Sequence, residues 1–221
     1  MLSGYHKELV LRYQPRILMD RADPFPVRLL GCTVFSEPGM SNSFRDLRLD
    51  PAALGAKYVI EYAVYFDYDI QHLYDLEHVW VMVGAEGEVT ECWCSYHGMR
   101  MRASGLRCFR LEGTHPVLYC QPGKHAFLPD PELFRLHCQY DICCRENAGG
   151  GLLVPPMLRG AMTTDEERNG KIRAYIREKF SFTPTEDYVP HGLEDGQFVT
   201  WAELLEEIPR LVEAQLKIIE A

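Results

Sequence analysis

Hydrophobic and polar positions divide the middle of the chain into a series of β-strands. Residues 58–66, YVIEYAVYF, and 76–83, LEHVWVMV, are dense in aromatic and β-branched side chains and predict two buried strands. The segment GAEGE at 84–88 predicts a hairpin turn, and VTECWCSYH at 89–97 predicts the returning strand. The remaining strand predictions are 106–111 and 116–120.

This order of strands predicts a mainly β fold, an antiparallel β-sandwich with helical additions in the C-terminal third; an α+β fold is the alternative. Residues 1–30 are expected to form extended segments that are punctuated by prolines. Three later stretches have the cap residues of helices. They are Asp130-Pro131-Glu132, with a helix to about residue 140, Thr164 with Glu167, and Thr200 with Glu203.

The last of these helices has an apolar stripe at helical spacing. We expect this stripe to pack on the core or to form a homodimer with a second copy of the chain. Pro209 lies inside the helix and is expected to kink it.

Length and composition predict one domain. The chain has 221 residues, of which 47% are hydrophobic, enough for one sizeable core. We assign 1–221 to a single domain, with a β-rich core at 13–128 and helical additions at 129–221. The latter include a Gly/Pro-rich loop at 147–156, which is expected to be functional.

The net charge and the positions of the cysteines indicate which classes of partner and which cellular compartment to expect. The formal net charge of −9 argues against a nucleic-acid partner, which would require clustered Lys and Arg. No integral membrane segment and no secretion leader are recognisable, so a cytoplasmic location is expected. The eight cysteines lie mainly in apolar runs, so we expect reduced, mostly buried thiols, and Cys143 and Cys144 are too close in sequence to pair.

Candidate chemistry is concentrated in FDYDIQHLYDLEHVWV, residues 66–81. Asp75 and Glu77 are two apart, so on a strand both side chains leave the face that the valines at 79, 81 and 83 share. Two carboxylates beside a valine stripe require a cation, and a divalent metal ion supplies the charge. His72 and Asp69 are placed to add ligands, and His97 and His125 are further candidates from the following hairpin and a later loop.

These residues also have simpler interpretations. Asp75 and Glu77 are equally able to pair with arginines such as Arg100 and Arg102. Strand alternation turns His78 away from the two acids, which favours a core histidine. Cys92 and Cys94 share a strand face but have no second pair at zinc-finger spacing.

The segment from His72 to Glu77 has the H-x-x-D-x-E spacing of the G-H-R-H-D-W-E heptapeptide of necrosis-inducing plant cytolysins, and resembles it. The string at 62–69 is similar to that family's Y-x-W-Y-x-P-K-D strand, and Ser95-Tyr96-His97-Gly98 to its S-x-H-G. Residues 13–26 and the loop QPGKHAF at 121–127 resemble segments of fungal proteins related to vacuolar protein sorting. The chain is thus identified as a distant intracellular member of this group, with a resemblance that covers residues 13–128 with gaps.

The resemblance implies a β-sandwich and a divalent cation, Mg, Mn, Ca or Zn, surrounded by Asp69, His72, Asp75, Glu77 and His97. The glycine, the arginine and one histidine of the heptapeptide are absent, and its tryptophan is Leu76. Without a secretion signal or disulfide pair, lysis of plant membranes is not expected.

Two functions follow as hypotheses. The leading one is a metal-dependent hydrolase of an ester or phosphoester, with His97 or His125 as the acid/base. The alternative is a non-catalytic module in which the ion binds a small molecule, a glycan or a lipid head group.

Overall fold

The computed structural model describes residues 2, 4–137, 140 and 148–221. The adjacent Cys143 and Cys144 lie outside the described residues, as does the first residue of the loop predicted at 147–156. The five cysteines that the structure describes are free thiols, and all but Cys108 are buried. They are Cys32, Cys92, Cys94, Cys108 and Cys120.

The described residues form fourteen strands. Their bounds are β1 Arg16–Asp20, β2 Leu29–Phe35, β3 Gly39–Met40, β4 Arg48–Leu49, β5 Tyr58–Tyr68, β6 His72–Val83, β7 Val89–Tyr96, β8 Met99–Met101, β9 Leu111–Glu112, β10 His115–Cys120, β11 Phe127–Leu128, β12 Gly151–Leu152, β13 Tyr188–Pro190 and β14 Phe198–Thr200. The strongest predictions from the sequence, the strands at 58–66, 76–83, 89–97 and 116–120, are confirmed.

The strands form two main sheets. The larger has the order β14-β2-β5-β6-β7-β8, with β12 on β6, and its run from β2 to β8 is antiparallel. The smaller has the order β11-β10-β1-β13, with β9 on β10. One core cluster combines residues of both sheets, such as Tyr62 and Val79 of the larger and Ile17 and Leu118 of the smaller. The mainly β prediction is therefore confirmed, although β1–β10, β2–β14 and β6–β12 pair in parallel.

Three α-helices are described: α1 Gly4–Tyr13, α2 Glu166–Phe180 and α3 Trp201–Ile219. Short 3-10 helices lie at Ala103–Gly105, Pro131–Leu136, Pro156–Leu158 and Asp195–Gln197. Among the helices that the structure describes, none has both the length and the apolar composition of a membrane span.

The helices α2 and α3 cover the face of the larger sheet that is turned away from the smaller one. Their buried residues join Ala63 and Tyr65 of β5 in a second core cluster. The predicted capping box of Thr200 and Glu203 is confirmed, and α3 runs on through Pro209. Because the apolar stripe of α3 packs within its own chain, the homodimer prediction loses its basis.

Four local predictions were wrong. Residues 4–13 are helical rather than extended, since Leu9, Val10 and Tyr13 recur at helical spacing and pack on the core. Residues 106–110 turn instead of extending, with a hydrogen bond of 3.1 Å from the Phe109 N–H to the Leu106 carbonyl, so only Leu111 remains in a strand.

The other two errors concern the type and length of one helix and the cap of another. Asp130 caps the first helix as predicted, because its carboxylate accepts the Glu132 N–H. The segment after Asp130 forms a 3-10 helix that ends at Leu136, while the predicted continuation to about 140 reaches residues outside the described ones. Asp165, not Thr164, caps α2, because its carboxylate accepts the Arg168 N–H. The Thr164 hydroxyl donates instead to Asn169 Oδ1 at 2.6 Å.

Candidate functional site

The candidate site lies at a gap in the larger sheet. Along one edge, β6 pairs with β12 at His72 and Leu73 and with β7 from Val79 to Val83. In the part of the chain that the structure describes, residues 74–78 have no strand partner on this edge. The Ser95 hydroxyl fills part of the gap by accepting the His78 N–H at 2.6 Å. Side chains from both faces of the sheet therefore approach one another here.

The two acids of β6 lie where strand alternation predicted. Asp75 and Glu77 are each 8% exposed and continue the inner-face row of Val79, Val81 and Val83, which belongs to the core between the sheets. Burial and the neighbouring Asp75 charge raise the pKa of Glu77 to about 8. Its Oε2 accepts the Ser95 hydroxyl, and no other hydrogen bond from the described residues reaches the Glu77 carboxylate.

Asp69, in the turn between β5 and β6, is fully buried. Its Oδ1 accepts the backbone N–H groups of Gln71 and His72, both at 2.7 Å, which fixes the turn. Its Oδ2 faces the Lys124 ammonium in an ion pair and lies 3.3 Å from His72 Nε2. Burial by itself raises the pKa of Asp69, but the charges of His72 and Lys124 hold it below the ordinary range.

The loop between β10 and β11 brings two cations under β6. Gly123 and His125 both have positive φ, 71° and 59°. The Gly123 N–H donates to Asp23 Oδ2 at 2.8 Å, and its carbonyl accepts the Ile70 N–H at 2.7 Å. These bonds hold the loop against both the β1–β2 connection and the β5–β6 turn, so Lys124 reaches Asp69.

His125 is fully buried between two carboxylates. Its Nδ1 is 2.9 Å from Asp75 Oδ2, and its Nε2 is 3.7 Å from Asp23 Oδ1, an ionic separation longer than a hydrogen bond. The ring stacks on Phe66 at 3.9 Å between centroids. Burial by itself lowers the pKa of His125, but Asp23 and Asp75 raise it to about 9. The ring is therefore an imidazolium at neutral pH.

His97 lies at the rim in the two-residue turn between β7 and β8. Both His97 and Gly98 have positive φ, 48° and 75°, as in a type I′ hairpin. His97 Nε2 is 2.8 Å from Oε1 of the buried Gln121. Burial lowers the pKa of His97, and the nearby ring of His137 acts in the same direction. Of the two predicted acid/base residues, His97 alone lies outside a pair of carboxylates.

The sequence did not predict several members of this cluster. Lys124 and Gln121 lie in the loop where only His125 was singled out, and Asp23 lies next to the prolines of the first segment. No periodicity marks them, because they approach β6 only through tertiary contacts. The two arginines considered as partners, Arg100 and Arg102, lie elsewhere: Arg100 over the Trp93 ring and Arg102 beside Glu91.

The cluster has the donor types that a divalent cation takes, carboxylates and imidazoles. Internal cations already neutralise Asp69 and Asp75, and within the described ranges no group of three His, Cys, Asp or Glu side chains is arranged to hold a metal ion. The donor types therefore suit a divalent ion, whereas their arrangement is occupied by internal cations, Lys124 on Asp69 and His125 on Asp75.

No protein-family model matches the sequence, and no curated protein matches it. Among solved structures, NLPPya in complex with glucosamine is similar at a TM-score of 0.38 and 18% identity, over 56% of this chain and 66% of that one. NLPPya in complex with mannosamine is similar at a TM-score of 0.35 and 19% identity, over 54% of this chain and 66% of that one. Necrosis and Ethylene inducing Protein 2 from the causal agent of cocoa's Witches Broom disease is similar at a TM-score of 0.34 and 17% identity, over 57% of this chain and 68% of that one. The similarity thus spans just under two thirds of the NLPPya chain.

Proposed function

We propose that the protein is a binding module whose acidic cluster takes a divalent cation and, with it, a polar ligand such as a glycan or a lipid head group. Asp69, His72, Asp75, Glu77 and His97 would hold the cation, which is Mg, Mn, Ca or Zn. When bound, such an ion supplies positive charge that attracts ligand oxygens. The remaining residues of the cluster orient these donors and keep bulk water away.

One observation carries the proposal: among the described residues, four carboxyl groups converge on two permanent cations. Asp23, Asp69, Asp75 and Glu77 are all largely buried, and Lys124 and His125 are the positive groups among them. Buried carboxylates without compensation are costly, and Glu77 avoids this cost by keeping its proton, since its pKa is raised to about 8. A divalent ion would supply the positive charge that lets Glu77 ionise. Apolar side chains at positions 75 and 77, continuing the Val79–Val83 row, would avoid this cost.

A hydrolase of an ester or phosphoester is the second candidate, and the position of His97 favours it. This imidazole is part-exposed at the rim, and its lowered pKa keeps it neutral near pH 7, as a general base requires. His125 suits this role less, because both of its ring nitrogens face carboxylates inside the protein. If the protein is a hydrolase, His125 is a positioning residue for Asp75.

Calorimetric titration with Mg²⁺, Mn²⁺, Ca²⁺ and Zn²⁺, combined with elemental analysis of the purified protein, tests the proposal. We expect one ion per chain and a loss of at least tenfold in affinity in Asp75→Asn and in Glu77→Gln. Glu213→Gln, on the exposed face of α3, is the matched control and should bind like the parent. Glucosamine and mannosamine are suitable sugar probes, with and without the ion. Absence of binding of all four ions would refute the proposal.

A panel of ester and phosphoester substrates separates the two candidates. Turnover that requires the ion and is lost in His97→Gln supports the hydrolase. Ion-dependent sugar binding without turnover supports the binding module.

A further inference from the structure

The gap in the larger sheet opens on its second face into a cavity of about 440 Å³. This cavity lies on the side of β6 opposite the acidic cluster. Its size falls within the range of small-molecule binding sites. Asp75 and Gly98 belong to its lining, so it adjoins the cluster at the point where the described residues give β6 no strand neighbour.

The lining of the cavity has an apolar wall, a wall formed by β6, and the charged residues Arg45 and Asp46. One wall is apolar and follows the segment after β12; it includes Leu153, Pro155, Pro156 and Met157. Leu153 is 43% exposed, although it is a large hydrophobic residue. Phe44 extends this apolar surface and contacts the buried Trp80 at 5.0 Å between ring centroids. An apolar surface of this kind favours an occupant with a hydrophobic body.

The opposite wall is β6 itself and contains polar groups. His78 Nε2 is hydrogen-bonded to the Ser43 hydroxyl, and burial lowers the pKa of His78 to about 3, so the ring is neutral. Two buried polar atoms on this wall, His78 Nδ1 and the Tyr74 hydroxyl, have no hydrogen-bond partner among the described residues. Buried polar atoms are nearly always satisfied, so each of these two requires a partner that the described residues do not supply.

We propose that this cavity binds the apolar body of a small amphiphile whose polar head lies at Asp75. The proposal rests on the proposed function, since it chooses a lipid-like ligand over a free glycan for the same site. The apolar wall takes the hydrocarbon chain, and the β6 wall takes the polar linkage between chain and head. The gap at residues 74–78 joins the two compartments, so a single molecule reaches both.

Calorimetric titration with n-dodecyl β-maltoside below its critical micelle concentration, against maltose, tests the apolar compartment. We expect the alkyl maltoside to bind at least tenfold more tightly than the free sugar. Leu153→Glu and Met157→Glu should abolish this difference, because each places a charge in the apolar wall. Both side chains are part-exposed, so the fold should tolerate the substitutions, and circular dichroism checks that it does.

Leu136→Glu is the matched control. Leu136 is 82% exposed and lines a different apolar groove, beside Met99 and Leu106, so its substitution should leave the difference unchanged. Equal affinity for n-dodecyl β-maltoside and maltose would overturn the proposal. So would a loss of the affinity difference in Leu136→Glu instead of Leu153→Glu.

Failure of the proposed function has a separate signature. Asp75→Asn should remove any divalent-ion dependence of binding and leave most of the gain from the dodecyl chain intact. If the alkyl maltoside binds without any dependence on a divalent ion and still loses affinity in Leu153→Glu, that result would support the ligand cavity and refute the cation site.

Discussion

At the scale of single residues, the protein neutralises buried acids in different ways. Lys124 pairs with Asp69, and the imidazolium of His125 lies between Asp23 and Asp75. Glu61, on β5, is fully buried and has only neutral donors, the Ser41 hydroxyl at 2.6 Å and the Asn42 N–H at 3.1 Å. Removing a partner should therefore have different consequences at these positions.

Replacing Lys124 with Met should destabilise the protein, because Asp69 would keep its buried charge with only His72 nearby. Breaking a buried ion pair on one side typically costs about 3–5 kcal/mol. The double variant Lys124→Met/Asp69→Asn removes both charges and should be clearly more stable than Lys124→Met alone. Urea denaturation at pH 7 measures both. An equal loss of unfolding free energy in the two variants would mean that the broken ion pair does not cause the destabilisation.

Lys124→Met also bears on the proposed cation site. Because Lys124 occupies Asp69, its removal should make divalent binding tighter, and an added ion should restore part of the lost stability. The same denaturation series with and without Mn²⁺ measures this effect.

Glu61 should make stability dependent on pH. Burial raises its pKa from the ordinary 4.5 to about 7. The folded state therefore holds a proton that the unfolded state has released, so this contribution to stability is complete below pH 4.5 and is lost as the pH rises to about 7. The loss is on the order of 3 kcal/mol.

Glu61→Gln imitates the protonated acid, and its carbonyl oxygen can still accept from Ser41 and Asn42. Its free energy of unfolding should exceed that of the parent at pH 8, and the advantage should shrink at pH 5. The exposed Glu213→Gln is the control, with the same difference from the parent at both pH values. Parallel pH profiles for Glu61→Gln and the parent would exclude Glu61 as the cause.

At the scale of elements, the packing of α3 on β2 depends on a close approach at one position. A Cβ atom on Gly31 would lie 2.6 Å from Leu204 Cδ2 and 3.0 Å from Leu204 Cβ. Both distances are shorter than side chains normally allow, so the helix approaches the strand only because residue 31 is glycine.

Gly31→Ala should therefore lower the free energy of unfolding by about 1–3 kcal/mol, the usual cost of overpacking. Gly192→Ala is the control, because no atom lies within 4 Å of the Cβ that it adds. Thermal denaturation of both variants gives the comparison. The combination Gly31→Ala/Leu204→Ala removes the 2.6 Å contact with Cδ2 and keeps the 3.0 Å contact with Cβ. A Gly31→Ala variant as stable as the parent would contradict the tight packing.

At the scale of the whole molecule, the larger sheet separates two environments that meet at the gap in β6. Its inner face and the loops of the smaller sheet enclose the acidic cluster, and its outer face borders the apolar cavity. The helices α2 and α3 cover much of the remaining outer face. The candidate site therefore lies in the first half of β6, beside the stretch 74–78 that has no strand neighbour among the described residues.

The sequence by itself determined the features that depend on local periodicity. Alternation along β6 placed Asp75 and Glu77 on the inner face and His78 on the other, and the cap residues of α3 determined its start. Such features need only neighbours two to four residues away. Where two local signals competed, as with the prolines and the helical spacing near the N-terminus, the prediction was wrong.

Only the tertiary structure decided what neutralises the acids. Asp23 and Gly123 are hydrogen-bonded although 100 residues separate them, and Lys124 reaches Asp69 across 55. The sequence requires each buried carboxylate to be neutralised, by a positive partner or, as at Glu61, by its own proton, because an uncompensated buried charge is unstable. It does not identify that partner, since a lysine, an imidazolium and a metal ion satisfy the same electrostatic need and only the folded chain brings one of them into contact.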